Sequence, residues 1–212
     1  MRNILIIGAG KSTAQLIKYL ADKASSENLQ LIIADRDLAQ AQALAGNYDC
    51  ANAITLDIYN VEDRKEQITK ADIVISMLPA RLHIDVARDC LALSKNLVTA
   101  SYISDAMKEL DDEVKKKGLV FMNEVGLDPG IDHMSAMRVI DRVRDAGGKM
   151  LLFESFCGGL VAPESDTNLW NYKFTWNPRN VVLAVQGGAA EFIQEGTYKY
   201  IPYQRLFRRT EF

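Results

Sequence analysis

The chain predicts an α/β fold in which a parallel sheet carries helices on both faces. Apolar runs alternate with amphipathic stretches from Asn3 to Glu124, and a glycine turn follows the first run directly. Strands that are apolar without interruption are buried on both faces, which is typical of parallel sheets. The glycine turn between the first strand and the first helix completes the pattern of a doubly wound, Rossmann sheet. After Gly130 the pattern changes, and it predicts an incomplete α+β second domain.

Six short apolar runs are predicted to form the strands of the sheet. They cover Asn3–Gly8, Leu29–Ala34, Ala53–Asp57, Ile73–Leu78, Asn96–Ala100 and Leu119–Glu124. Helical spacing marks the stretches between them; the first, for example, places Leu16, Ile17 and Leu20 on one face. These helices cover Lys11–Ala24, Asp37–Ala45, Val61–Lys70, Leu82–Leu93 and Ser104–Lys117. Ser104 is the predicted N-cap of the last helix and Gly118 its stop.

The region after Gly130 predicts a domain that is only partly present. A helix is predicted over Ile131–Ala146, a long strand over Lys149–Cys157, and a strand or hairpin over Gly196–Arg208, with Gly-, Pro-, Asn- and Trp-rich loops up to about Pro178. So few strands do not make a sheet that is stable alone. We therefore predict a cofactor domain over residues 1–130 and a partial substrate or dimerisation domain over residues 131–212. Core or interface positions are predicted for Tyr198, Tyr200, Tyr203 and Phe207.

Charge and composition exclude several classes of protein. The formal net charge is −3, whereas proteins that bind nucleic acid or anionic membranes usually carry a basic patch. No apolar run approaches the roughly 20 residues that span a bilayer, and the N-terminal run is too short for a secretion signal. The three cysteines and two histidines lack metal-ligand spacing. We predict a cytoplasmic protein with reduced thiols, no metal, and neither nucleic acid nor membrane as a partner.

The turn after the first strand predicts a nucleotide site. In Gly8-Ala9-Gly10 the glycines allow a tight turn and a close approach to a pyrophosphate, which then sits on the helix N-terminus. Thr13 occupies the position of the third glycine of the fingerprint, where a small side chain still permits close packing. Lys11 and Ser12 are candidates for phosphate contacts, although Lys11 could equally lie in solvent. A phosphate loop of the NTPase type is excluded because it would need a glycine at Leu5.

Polar residues at the ends of later strands predict the rest of the cofactor site. Asp35 ends the second strand, where an acid binds the ribose hydroxyls of NAD and repels a 2′-phosphate; the alternative is that Asp35 only caps the helix after it. Arg36 follows and keeps NADP open, because it could pair with that phosphate or stack on adenine. Asp57 is predicted to contact adenine or to form a turn. Ser76, Leu78 and Pro79 end the fourth strand, where ribose and nicotinamide usually lie.

A second turn lies where the sixth strand opens onto a helix. In Asp128-Pro129-Gly130 proline presets φ, glycine allows positive φ, and the Asp side chain can accept from backbone N–H groups. Open α/β sheets hold their ligands at such strand ends. Asp128 is therefore either a ligand-facing acid or an Asx residue that forms the turn.

Long blocks around this turn carry a family resemblance. They are Val98–Ser104, Met107–Asp111, Met122–His133, Ala146–Lys149, Cys157–Leu160, Ala162–Ser165 and Tyr172–Trp176. In these blocks the chain resembles saccharopine dehydrogenases of the glutamate-forming type. The resemblance implies a nicotinamide-dependent oxidoreductase. Members join 2-aminoadipate semialdehyde to glutamate as an imine and reduce it to saccharopine, or run the reverse.

The resemblance also implies roles for residues of the second turn and its surroundings. Ser101 and Tyr102 would contact the amino-acid substrate, Asp128, Pro129 and Gly130 would line the cleft, and Cys157 would lie near nicotinamide or substrate. Reduction of an imine needs a proton at nitrogen, which Asp128 or Tyr102 could relay. Two of these residues also have a purely structural alternative. Tyr102 could be an ordinary half-buried tyrosine, and Cys157 could be a buried structural thiol.

The two histidines are assigned less active places. His133 is predicted to pack or hydrogen-bond within its helix rather than act as a catalyst. His83 is predicted either to approach the cleft or to lie on a surface helix.

Two features keep other functions open. The third glycine is replaced, and family members are about twice as long and take basic substrate-binding residues from later positions. We therefore expect this chain to be inactive alone, and apolar surface left exposed predicts a homo-oligomer. The alternatives are a carboxynorspermidine dehydrogenase-like polyamine enzyme and a non-catalytic NAD(P)-binding module.

Overall fold

A computed structural model describes residues 1–159, 161–174, 178–179, 182 and 189–208, without the side chains of residues 206–208. Contacts divide the chain into two units, Met1–Gly158 and Gly159–Phe212. Leu160, Thr175 and Trp176 of the resemblance blocks, and the predicted core side chain of Phe207, lie outside the described residues.

The first unit contains the predicted doubly wound sheet. Its strands are β1 (Arg2–Ile7), β2 (Leu29–Asp35), β3 (Ala51–Thr55), β4 (Ile73–Ser76), β5 (Asn96–Thr99) and β6 (Phe121–Met122). They run parallel in the order β3-β2-β1-β4-β5-β6. The order reverses between β1 and β4, and ligands of open α/β sheets bind at the carboxyl ends beside such a switch point.

Helices cover the two faces of this sheet, and a last helix without buried residues follows β6. They are α1 (Ala14–Glu27), α2 (Leu38–Ala45), α3 (Val61–Lys70), α4 (His83–Ala92), α5 (Asp105–Lys108), α6 (Asp111–Lys116) and α7 (Ile131–Asp145). Ile4 and Ile6 of β1 pack in a cluster with Ile17 of α1, while Leu5 and Ile7 belong to the opposite cluster. Because side chains alternate along a strand, an unbroken apolar run supplies both cores.

Three of the predicted elements differ in the structure. The helix predicted over Ser104–Lys117 is divided into α5 and α6, because the Leu110 N–H bonds to the Met107 carbonyl three residues back and tightens the chain. The last strand of the sheet is confined to Phe121–Met122. The strand predicted over Lys149–Cys157 is wrong: no strand is found there.

The failed strand prediction has a physical reason. Among the described residues no strand pairs with the N–H and C=O groups of the stretch from Lys149 to Cys157, and Leu151 and Phe156 are 88% and 89% exposed. Apolar residues alone do not make a strand, since a strand is stabilised by pairing.

The second unit contains an antiparallel hairpin of β7 (Ala190–Gln194) and β8 (Thr197–Ile201). This agrees with a hairpin near the end of the chain, although it begins before Gly196 and is followed by a 3₁₀ helix over Tyr203–Arg208. Tyr198 and Tyr200 are more than half exposed, so neither lies in a core, and their alternative position at an interface stays a prediction. Tyr198 instead donates a hydrogen bond to the Glu191 carboxylate on the facing strand.

The described residues bear on membrane insertion and on metal binding. Within the described ranges no helix is long and apolar enough to cross a membrane. Among the same residues no group of three or more His, Cys, Asp or Glu side chains is arranged to hold a metal ion.

Candidate functional site

Gly8 closes the turn after β1 at the switch point. Its φ is +109°, and a Cβ placed on it would lie 2.9 Å from the Met77 carbonyl oxygen. Its N–H donates to the Ala34 carbonyl at 2.8 Å. The turn is therefore wedged between the ends of β2 and β4, and only glycine fits there.

Gly10 has a different reason to be glycine. Its backbone is extended, with φ −77° and ψ 175°, and a Cβ would meet nothing within 4 Å. Neither strain nor packing requires glycine here. The open space in front of Gly10 fits the close approach of a pyrophosphate that the fingerprint provides.

Thr13 takes the place of the third glycine. It is fully buried, and its hydroxyl donates to the Gly8 carbonyl at 3.0 Å. The side chain thus stabilises the glycine turn from below. Lys11 and Ser12 are exposed in the 3₁₀ turn Lys11–Thr13 that leads into α1.

Both oxygens of the Asp35 carboxylate accept from backbone N–H groups. Oδ2 accepts from Ala9 at 2.7 Å, and Oδ1 accepts from Asp37, the N-cap of α2, at 2.9 Å. Asp35 therefore ties the glycine turn to the start of α2. Arg36 is exposed beside it. Asp57 lies beyond β3 rather than at its end, and its carboxylate accepts from the Tyr59 N–H at 3.0 Å in a turn.

The end of β4 holds a buried histidine. Ser76 is fully buried, Leu78 is half-buried and Pro79 is exposed. His83 begins α4, is 4% exposed, and lies 2.8 Å from the Ser76 hydroxyl through Nδ1 and 2.8 Å from the Ser101 hydroxyl through Nε2. Burial lowers the pKa of His83 to about 4, which keeps the ring neutral.

The structure decides between the two places predicted for His83. The sequence left a surface helix as an equal choice, and the side chain is in the interior instead. The available signal was the short spacing after Pro79, which brings the start of α4 back over the end of β4.

The loop that follows β6 is anchored to the end of β5. The Glu124 N–H donates to the Ser101 carbonyl at 3.1 Å, and the Val125 N–H donates to the Thr99 carbonyl at 3.2 Å. The Asp128–Pro129 peptide is cis, and Pro129 and Gly130 are buried. A Cβ on Gly130 would lie 2.3 Å from the Gly126 carbonyl oxygen. This loop therefore presents Asp128 from a closely packed base.

Tyr102, Asp128 and Cys157 come together at this loop. The Tyr102 hydroxyl donates to Asp128 Oδ1 at 2.7 Å, and this bond, with desolvation and the carboxylate charge, raises the pKa of Tyr102 to about 12. Partial desolvation, the charge of Asp128 and a hydrogen bond to Asp128 raise the pKa of the Cys157 thiol. Both Tyr102 and Cys157 are exposed, so the structural alternatives of a half-buried tyrosine and a buried thiol are wrong.

His133 bonds within its own helix, as predicted. Its Nδ1 lies 2.8 Å from Asp132 Oδ1, which also accepts from the Gly130 N–H at 2.8 Å. The hydrogen bond to Asp132 raises the pKa of His133. The pair stabilises the start of α7 directly behind the Asp128 turn.

Comparisons with known proteins agree with the resemblance. Residues 4–122 match the family model described as the saccharopine dehydrogenase NADP binding domain. Residues 126–212 match the model described as the saccharopine dehydrogenase C-terminal domain. The two matches together cover nearly the whole chain.

Individual relatives give the same result. Saccharopine dehydrogenase [NADP(+), L-glutamate-forming] of Saccharomyces cerevisiae is 41% identical over 205 residues, which are 97% of this chain and 45% of that protein. The mitochondrial alpha-aminoadipic semialdehyde synthase of Rattus norvegicus is 37% identical over 190 residues, which are 89% of this chain and 20% of that protein. The chain thus spans less than half the length of these relatives.

A solved structure resembles the whole described fold. It is the apo, histidine-tagged saccharopine dehydrogenase (L-Glu forming) from Saccharomyces cerevisiae, with a TM-score of 0.82 and 38% identity, covering 96% of this chain and 45% of that one. The predicted Rossmann fold and the predicted family are both confirmed. From its sheet, its glycine turn and these matches, the chain belongs to the saccharopine dehydrogenase family.

Proposed function

We propose that the protein containing this chain is an NADP-dependent oxidoreductase of lysine metabolism that acts on the C–N bond of saccharopine. It would interconvert saccharopine with 2-aminoadipate semialdehyde and glutamate. The observation that carries the proposal is 41% identity over 97% of the chain to a saccharopine dehydrogenase. A division into a cofactor domain over residues 1–130 and a partial substrate domain over residues 131–212 belongs to the same proposal.

The cofactor would lie along the carboxyl ends of β1, β2 and β4. Gly8 and Thr13 hold the turn in place, and the open space in front of Gly10 would admit the pyrophosphate. Exposed Lys11 and Ser12 are near enough along the chain to add phosphate contacts. Further along the cleft, the adenosine, nicotinamide and ribose contacts would come from Asp35, Arg36, Asp57, Ser76, Leu78, Pro79, Pro129 and Gly130.

The surroundings of Asp35 support NADP over NAD. An acid at this position favours NAD when its oxygens are free to accept from the ribose hydroxyls. Here a backbone N–H already takes one acceptor site of each oxygen, at 2.7 Å and 2.9 Å, which leaves the carboxylate fewer sites for the ribose hydroxyls. Exposed Arg36 would then meet the 2′-phosphate, because a guanidinium binds phosphate through paired N–H donors. The NADP description of the matched family model agrees with this assignment.

The exposed cluster of Tyr102, Asp128 and Cys157 would face the substrate. The bound nicotinamide supplies or accepts the hydride, and the protein must manage a proton at the substrate nitrogen. Tyr102 stays protonated because its pKa is raised to about 12. Its hydroxyl is 2.7 Å from Asp128, so the pair can pass a proton between the substrate nitrogen and solvent. Ser101 would add a contact to the amino-acid substrate.

Cofactor titration tests the first half of the proposal. NADPH and NADH are titrated into the chain and binding is followed by calorimetry. We expect tighter binding of NADPH, and Arg36→Gln should weaken NADPH while leaving NADH nearly unchanged. Gly10→Ala should weaken both without loss of stability, because its methyl group enters only the open space. Equal binding of NADPH by Gly10→Ala and by the unmodified chain would contradict the cofactor site.

Turnover tests the second half. Saccharopine-dependent formation of NADPH is measured for this chain, and for a chimera in which these residues replace the matched segment of the Saccharomyces cerevisiae relative. We expect turnover by the chimera and its loss in the Asp128→Ala version. NADPH binding by a folded chimera without turnover would instead support a non-catalytic cofactor-binding module.

A further inference from the structure

The carboxyl ends of β4 and β5 are joined by an unbroken chain of three side chains. Ser76 ends β4 beside Thr99, which ends β5, and Ser101 lies two residues further on. The His83 ring spans the gap, 2.8 Å from each serine hydroxyl. Cofactor and substrate would meet above these two strand ends. These hydrogen bonds therefore connect Ser76, on the side where the cofactor would lie, to Ser101, on the side where the substrate would lie.

The burial of Ser76 decides the direction of these hydrogen bonds. Ser76 is 0% exposed, and within the described part of the chain His83 Nδ1 is the partner recorded for its hydroxyl. A buried donor that is not used is costly, so the Ser76 O–H donates to Nδ1. A neutral imidazole has one donor and one acceptor nitrogen. Nε2 of His83 therefore carries the proton and donates to the Ser101 oxygen.

This direction leaves the Ser101 proton pointing away from the histidine. Ser101 is half-buried at the strand end, with its oxygen already accepting from His83. Its neighbour Tyr102 has its own proton engaged by Asp128 at 2.7 Å. A ligand at this point thus meets a hydroxyl donor on Ser101. An anionic oxygen makes the strongest bond with such a donor.

We propose that His83 is a positioning residue, held by Ser76, that makes Ser101 a directed hydrogen-bond donor to a carboxylate of the amino-acid substrate. The substrate half of this statement rests on the proposed function; the proton order of the three side chains does not. Burial lowers the pKa of His83 to about 4, so the neutral ring and its proton order persist at physiological pH. The role of His83 is to set the direction of another group.

Nuclear magnetic resonance of the imidazole nitrogens tests the proton order in the chain itself. The protein has two histidines, so labelling with ¹⁵N-histidine gives two rings, and His133→Gln assigns them. For His83 we expect a protonated Nε2, an unprotonated Nδ1, and a changed Nε2 signal in Ser101→Ala. A protonated Nδ1, or a His83 ring that titrates as in free histidine, would overturn the proposal.

Two substitutions separate positioning from simple support of the fold. The Gln amide of His83→Gln can donate from near the Nε2 position, whereas that of His83→Asn reaches only Ser76. With NADPH bound, the dissociation constant of saccharopine is measured for each variant in the chimera with the Saccharomyces cerevisiae relative. We expect Ser101→Ala and His83→Asn to weaken the binding of saccharopine by roughly tenfold. His83→Gln should bind saccharopine nearly as tightly as the unmodified chimera does. NADPH affinity should not change.

The outcomes distinguish the proposal from the function on which it rests. If NADPH alone shifts the His83 Nε2 signal and saccharopine adds nothing, Ser101 serves the cofactor and the positioning proposal is overturned. Unchanged saccharopine affinity in Ser101→Ala overturns it as well. Failure of saccharopine to bind the unmodified chimera would count against the proposed function, while the tautomer measurement in the chain would still decide the proton order.

Discussion

At the scale of single residues, the two glycines of the first turn serve different purposes. Gly8 is required by the fold, because its φ is +109° and the Met77 carbonyl lies where a Cβ would be. Gly10 is not required by the fold, because its backbone suits any residue and its surroundings are open. The motif Gly8-Ala9-Gly10 thus contains one glycine that the fold requires and one glycine that leaves room for a ligand.

Substitution of Gly8 should show this difference in stability. Gly8→Ala adds a methyl group 2.9 Å from a backbone oxygen at a φ that alanine avoids. We expect the free energy of unfolding to fall by roughly 1–3 kcal/mol, measured by urea denaturation. Gly10→Ala is the matched control and should unfold nearly as the unmodified chain does. Similar losses in the two variants would refute this division of roles.

His83 predicts a specific dependence of stability on pH. Its pKa falls from 6.5 to about 4 on folding because of burial, so the unfolded chain takes up the proton first as pH falls. The contribution of His83 to the free energy of unfolding is therefore constant above pH 6.5. It decreases as pH falls from about 6.5 to 4, by roughly 3 kcal/mol in all. Comparison of denaturation curves for the unmodified chain and His83→Gln isolates this contribution. His133→Gln, at an exposed position, should keep the decrease; a decrease unaltered by His83→Gln would assign it to other groups.

At the scale of elements, the strands were predictable and the details of the helices were not. Buried parallel strands are apolar throughout, so β1, β2 and β4 are visible in any reading of the sequence. The division of α5 from α6 depends on one local hydrogen bond at Leu110, which no spacing of apolar residues records. The stretch from Lys149 to Cys157 has strand-like residues, but within the described ranges no strand pairs with it.

Helix α3 contains a buried ion pair that its polar sequence does not predict. Its sequence is polar, yet Arg64 is buried, with Nε 2.6 Å from Asp89 Oδ2 on α4. The exposed fractions of the two side chains are 8% and 9%, and the Arg64 guanidinium also donates to the Ile58 carbonyl. The ion pair joins α3 to α4, and a polar pattern alone would place both side chains in water.

Breaking this pair should be costly. Asp89→Ala leaves the buried Arg64 cation without its partner, and we expect a loss of roughly 3–5 kcal/mol in the free energy of unfolding. The double variant Arg64→Met, Asp89→Leu should recover most of the loss, because it removes both charges. Asp22→Ala, which breaks the exposed pair with Lys18, is the control and should have a far smaller effect. An Asp89→Ala chain as stable as Asp22→Ala would contradict a structural role for the pair.

At the scale of the whole molecule, exposed apolar side chains remain to be covered. On α7 no residue is buried, and Ile131, Met134 and Met137 are 55%, 59% and 46% exposed. Contiguous apolar surface of this kind favours association. The predicted homo-oligomer stays a prediction, and so does the predicted domain boundary at Gly130.

Light scattering tests association of the chain. We expect a mass above that of one chain, which is 23.7 kDa, with a dependence on protein concentration. Met134→Glu with Met137→Glu should shift the mass toward the single chain, because charges oppose burial of this face. The control is Tyr19→Glu, which places a charge at an exposed position on α1 and should leave the mass unchanged. A single-chain mass at all concentrations would rule out self-association.

The class of fold, the family and the edge of the sheet where ligands would bind could all be predicted from the order of residues. They follow from local rules, since buried strands must be apolar and the turn after β1 needs a glycine at Gly8. The roles of the polar side chains, in contrast, depend on the tertiary structure. It directed Asp35 to backbone N–H groups, paired Tyr102 with Asp128, and buried His83 between two serines. Asp35 and Ala9, Tyr102 and Asp128, and His83 and Ser101 are 26, 26 and 18 residues apart, and their hydrogen bonds exist only once the strands have brought them together.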